Sequence, residues 1–248
     1  MFITKNATYL HIPKTGGKWI ERVLQPLIID SSRHGVPTKP GNNIIGFVRN
    51  PWDWYVSVYV YSFNGSEWHQ QQSATVPYYS LIEGRSLIQA LGEDKSFDNF
   101  IRTITYPTQS FKNRYSAIDN IKKNMLSQNT NKDKLSSFYL KRISDVVDPF
   151  SSEYWTKTDL SLYSSQMLMY LEYATTIKKY ENLVDEFLNF TKEVGDYSAE
   201  LEFIVKTTPP INATTNRKAY QTYYTPETRK LVEDSSKYFI DKFNYTFE

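Results

Sequence analysis

The chain has 248 residues, room for one large domain or two small ones and for a substantial core. Hydrophobic residues make up 40% and charged residues 23%, an ordinary globular balance, and a net charge of +2 is too small to argue for nucleic-acid or membrane binding. With no cysteine, disulfides and thiolate metal sites are excluded.

The first residues, MFITKNATYLHIPK, lack the basic start and long apolar core of a secretion signal. No stretch approaches the roughly 20 apolar residues that cross a bilayer, so a cytoplasmic protein without a membrane segment is expected. ATYLHI reads as a short buried strand, and KWIERVLQPLI as an amphipathic helix. SSRHGVPTKPGNN is a turn-rich connection, and NIIGFV is a second buried strand. RNPWDWYVSVYVYSF then starts a helix with Pro51 near its first turn. The aromatics from here on, Trp52, Trp54, Tyr55, Tyr59, Tyr61 and Trp68, are expected mostly in the core, some as a stacking platform for a sugar or phenol acceptor. SFDNFIRTI is a helix with Ser96 as its N-cap, and LYSSQMLMYLEY is another. ATTIKKYENL gives a strand running into the helix VDEFLNFTKEVG, closed by Gly195. PETRKLVEDSSKYFIDKF is a single closing helix. Strands alternating with helices predict an α/β protein with a central parallel sheet flanked by helices. The chain reads as one domain over residues 1–248 with helical insertions.

Two stretches carry chemistry. In PKTGGKW, Gly16 and Gly17 stand where a strand ends and a helix begins. Glycines there let backbone N–H groups approach a ligand, and the helix start adds unpaired N–H groups and a positive dipole end. Lys14, Thr15 and Lys18 supply charge and a hydroxyl. The arrangement is a phosphate cradle, against the plainer reading of a strand–helix turn with solvated lysines. It is not a Walker A loop, because Trp19 follows Lys18 where Ser or Thr would hold Mg²⁺. The second stretch is FVRNPWDWYVSVY, in which Arg49 ends a strand and Ser57 lies about two helical turns further on. Alone, this is a strand-end arginine and a surface serine.

Together, HIPKTGG and FVRNPWDWYVSVY resemble the phosphate motifs of the sulfotransferases that use 3′-phosphoadenosine 5′-phosphosulfate (PAPS) and release PAP. KKYENLVDEF and YYTPETRKLVEDSSKYFIDKFNYTF look like later segments of that family, whereas about Gly65 to Asp148 carries little of the likeness. The resemblance implies a P-loop-kinase-like sulfotransferase fold in which that variable region shapes the acceptor pocket. It also implies roles. Lys14 would bind the sulfate-bridging phosphate, and Thr15, Gly16, Gly17 and Lys18 would cradle the 5′-phosphate. Trp19 would stack on adenine, and Tyr180 would line the adenine pocket. Arg49 and Ser57 would hold the 3′-phosphate, with Arg217 and Lys218 closing over it. Ala219 stands where that late basic pair usually meets a glycine, and Trp54 where many members have an arginine that could pair with Asp53. No metal is required.

An acceptor hydroxyl needs a base, and histidine suits that task near neutral pH. His34, between the two phosphate motifs, is the favoured base, so Lys14 and His34 form the expected catalytic pair. His69 and Glu21 are alternatives, and His11 reads as a packed strand residue. The acceptor itself is not written in the sequence: sugars, phenols, peptides and small alcohols all fit, through a hydroxyl or an amine. The competing reading is a nucleotide or small-molecule kinase of related fold.

Overall fold

The computed structural model describes residues 1–32, 37, 41–63, 91, 93–105, 162–171, 173–211 and 217–248. In chain order the described elements begin with β1 (Phe2–Ile3), β2 (Thr8–Tyr9), α1 (Gly17–Leu24), β3 (Asp30–Ser31), β4 (Ile44–Val48) and α2 (Pro51–Phe63). They continue with α3 (Phe97–Thr105), α4 (Leu162–Leu171), β5 (Thr176–Lys179), α5 (Leu183–Val194), α6 (Ala199–Thr207), α7 (Pro226–Ser235) and α8 (Lys237–Phe243). Two compact units emerge. One comprises Met1–Asn50 with Gln166–Asn216, the other Pro51–Ser165 with Arg217–Glu248.

The first unit is an α/β layer with helices on both sides of a five-stranded sheet ordered β3-β1-β2-β4-β5. β2, β4 and β5 are parallel, in the register Thr8 to Ile44 and Ile45 to Thr176. β1 runs antiparallel to both β2 and β3. The expected all-parallel sheet is therefore mixed, because two short edge strands join it. β1 and β3 have two residues each, too few to show an alternating pattern in sequence. β4 is buried throughout, as its IIGFV run predicts. Ile45 and Phe47 enter a core with Tyr9, Trp19, Val23 and Phe187, while Gly46 faces Leu171 and Ile12. α1 stops at Leu24 rather than running on to Ile28. Leu27 and Ile28 turn their N–H groups back to the Leu24 carbonyl, 2.7 and 3.1 Å away. Gly195 ends α5 in the left-handed region, as expected. The sequence reading missed α6. Its marks were present: Ser198 caps Leu201 N–H at 3.0 Å, and Glu200 and Glu202 lie in the first turn.

A buried carboxylate fastens the start of this unit to the end of α5. Asp196 accepts from the Thr4 hydroxyl at 2.5 Å, the Asn6 amide at 3.0 Å and the Tyr9 hydroxyl at 3.1 Å. Burial, and then the Asp196 charge, push the Tyr9 phenol well above its ordinary range. The folded state therefore prefers the neutral phenol. The stabilisation is full below the unfolded pKa of about 10 and is lost as pH rises beyond it. Tyr9→Phe should cost about 1 kcal/mol at pH 8. That deficit should shrink toward pH 11 in urea unfolding, and a constant deficit would discard the linkage.

The second unit is held by aromatic packing. Trp54 meets Tyr55 and Tyr163 edge-on at 5.2 and 5.4 Å. Phe97 meets Tyr224 at 4.8 Å and Tyr59 at 5.1 Å. As expected, Trp52, Trp54 and Tyr55 are core residues, whereas Tyr61 is exposed. Trp52 donates its indole N–H to the Arg229 carbonyl at 3.1 Å, and Tyr224 donates to the Trp52 carbonyl at 2.8 Å. Ser96 caps α3 by accepting the Asn99 N–H at 3.2 Å, as its position predicts. Arg102 grips Glu227 through two bonds of 2.7 and 2.6 Å, linking α3 to α7. The closing helix is not continuous. Thr225 and Thr228 form a capping box for α7, but Ser236 leaves helical geometry at φ −121°. Ser235 and Ser236 are weak helix formers, and Ser235 turns its hydroxyl back to the Val232 carbonyl at 3.3 Å.

Candidate functional site

The parallel order β2-β4-β5 brings the ends of three strands side by side. In open α/β sheets, ligands bind outside the carboxyl ends of such strands. The KTGG loop follows β2, Arg49 follows β4 directly, and Tyr180 follows β5 directly. All three belong to the first unit.

Lys14 has φ +65° and Gly16 has φ +84°. Between them Thr15 is buried, and its hydroxyl donates to the Ile12 carbonyl at 3.0 Å. Thr15 therefore pins the loop from beneath, and its proton is engaged with the protein. α1 begins at Gly17 behind a left-handed Gly16 that offers no side-chain cap, and its first turn holds no acid. Trp19 N–H, the third of this turn, bends back to the Gly16 carbonyl at 2.9 Å. The first N–H groups of a helix lack intrahelical acceptors, so this end is a positive pole that no acid of the first turn offsets. Lys18 adds a half-exposed ammonium 3.4 Å from Glu21. An exposed pair of this kind holds weakly and can yield to an anion.

The glycines are also required by packing. The space where side chains would stand is filled by the protein. A Cβ on Gly16 would lie 2.6 Å from Leu183 Cδ2 and 3.1 Å from Tyr180 Cε2. A Cβ on Gly17 would lie 1.8 Å from His11 Cδ2. His11 is 5% exposed and its ring stacks on Phe2 at 5.4 Å, so it is packed as predicted, but it lies beyond the end of β2 rather than within the strand, wedged under the loop.

Arg49 is 7% exposed. Its Nη1 donates to the Lys14 carbonyl at 2.9 Å, and Cζ lies 4.6 Å from the centre of the Tyr180 ring. Next to it, Asn50 N–H donates to Glu181 Oε1 at 2.6 Å, a contact the sequence reading missed. Trp19, expected on adenine, is 5% exposed within the core. It meets Phe187 edge-on at 5.5 Å and donates its indole N–H to the Thr208 carbonyl at 3.1 Å. In this unit it is packed among core side chains.

In the second unit, Arg217 pairs with Asp53, donating to its carboxylate and, at 3.1 Å, to its carbonyl. Asp53, with Trp54 beside it, thus meets a cation far along the chain. Ser57 lies four residues after Asp53 on α2, so the two share a helix face. Lys218 is exposed. His34, Trp68 and His69 lie outside the described residues, as does most of Gly65–Asp148. Among the described residues no group of three or more His, Asp or Glu could hold a metal ion, and no helix is long and apolar enough to cross a membrane.

Comparison of the chain with protein-family models, curated proteins and solved structures finds no match.

Proposed function

We propose that this protein is a PAPS-dependent sulfotransferase with the sulfotransferase form of the P-loop-like fold. Its acceptor would be a hydroxyl or amine of a small molecule or carbohydrate. The observation that carries the reading is the bare start of α1 immediately behind Lys14, at the carboxyl end of a parallel strand. A phosphate end fits that pole: the loop supplies N–H donors and two lysines, and the first turn contains no competing acid.

PAPS, when bound, would supply the sulfuryl group and a phosphate leaving group. The chain's own residues would do the rest. Lys14 and the N–H groups of Gly17 and Lys18 would stabilise charge as it grows on the departing phosphate oxygen. Thr15 would keep the loop seated through its bond to Ile12. His34 would take the acceptor proton, a task suited to an imidazole near neutral pH.

Calorimetry separates this reading from a kinase. PAP should bind without divalent ions, and Mg²⁺–ATP should bind no better than ATP alone. Labelled PAPS should then pass its label to at least one member of a pooled acceptor set. His34→Ala should lower that transfer while leaving PAP affinity near the wild-type value. Preferential Mg²⁺–ATP binding, or PAP binding with no transfer to any acceptor, would overturn the assignment.

A further inference from the structure

The motif likeness gives Arg49 one task, direct contact with a 3′-phosphate. Its surroundings give it another. Arg49 stands at the end of the middle strand of the parallel trio and reaches sideways to both neighbours. On the β2 side it donates to the Lys14 carbonyl at 2.9 Å. On the β5 side its guanidinium lies against the Tyr180 ring at 4.6 Å. Lys14 sits at φ +65°, a backbone state that L side chains seldom adopt and that persists only when surroundings enforce it. A planar guanidinium can stack on a ring and direct an N–H in its own plane at the same time. An ammonium cannot combine the two.

We infer that Arg49 is a positioning residue that latches the Lys14 carbonyl, with Tyr180 as its backing, and so holds the phosphate loop in its binding shape before any ligand arrives. Arg49 then acts on the anion through Lys14 and the loop N–H groups. The inference rests on the phosphate-loop reading, but its first test does not depend on a nucleotide.

The Trp19 and Ile20 amides donate to the Gly16 carbonyl at 2.9 and 3.0 Å, so their hydrogen exchange reports the closed loop. Arg49→Lys should speed that exchange about 10-fold or more, the scale of one lost charge-assisted bond. Exchange at Phe187 and Phe190 in α5 should stay unchanged, showing that the fold is intact. Tyr180→Ala should speed the loop amides in the same direction by a smaller factor. The second measurement compares PAP with 5′-AMP, which lacks the 3′-phosphate. A latch predicts that Arg49→Lys weakens both by the same factor, leaving their ratio unchanged. Loop exchange at the wild-type rate in Arg49→Lys would overturn the inference. So would a loss of PAP affinity with AMP affinity retained, which marks direct 3′-phosphate contact. If the wild-type protein binds neither nucleotide, the proposed function fails while the exchange comparison still decides the latch.

Discussion

Lys14→Ala is expected to lower sulfuryl transfer about 10²–10³-fold at saturating PAPS, the usual cost of removing one fixed electrostatic donor. Backbone consequences should be small. Lys14 already holds φ +65° with a Cβ in place, and its carbonyl, the acceptor for Arg49, survives the substitution. The loop should therefore keep its shape and lose only the ammonium. PAP affinity should fall by a smaller factor than turnover, because charge on the leaving phosphate grows during transfer and a matched cation contributes most there. Lys14→Arg should recover part of the rate. Turnover within twofold of wild type in Lys14→Ala would remove Lys14 from the chemistry.

How much of this was legible in the sequence depended on how local the cause was. The strand IIGFV, the Ser96 cap, the Gly195 stop and the glycine bend before α1 are set by neighbouring residues, and each stands where its pattern placed it. β1 and β3 escaped because a two-residue strand is defined by its partners and not by a period. The site divides in the same way. PKTGG announces a loop that can face an anion, but not that His11 and Leu183 occupy the space its glycines leave open. Arg49 announces a cation at a strand end, but its bond to Lys14 depends on β2 and β4 being neighbours. Trp19 shows the converse. Its place in the motif suggested adenine, and the contact with Phe187, far along the chain, makes it core. Asp53 and Arg217 pair across a separation that composition cannot show.

Gly17→Ala should be the most damaging single-methyl addition near the loop. The new Cβ would lie 1.8 Å from His11 Cδ2, 2.4 Å from Nε2 and 2.7 Å from Cγ. Two effects compete. Alanine improves helix propensity over glycine by at most about 1 kcal/mol. Forcing an atom into filled space costs about 1–3 kcal/mol and sometimes more, and here the obstacle is a whole ring edge. His11 has little room to withdraw, since it is buried and stacked on Phe2. The start of α1 must then lift, pulling Trp19 and Ile20 out of the core they share with Phe187. Overpacking wins, and a net loss of about 2 kcal/mol corresponds to a Tm lower by roughly 4–8 °C for a chain of this size. The same shift displaces the helix N–H groups, so PAP affinity should fall along with stability. Adding His11→Ala removes the obstacle, and the double variant should melt well above Gly17→Ala alone, a coupling expected of groups in direct contact. If Gly17→Ala instead melted at the wild-type temperature, the imidazole would not be wedged beneath the loop, and the glycine would have to be explained by the ligand after all.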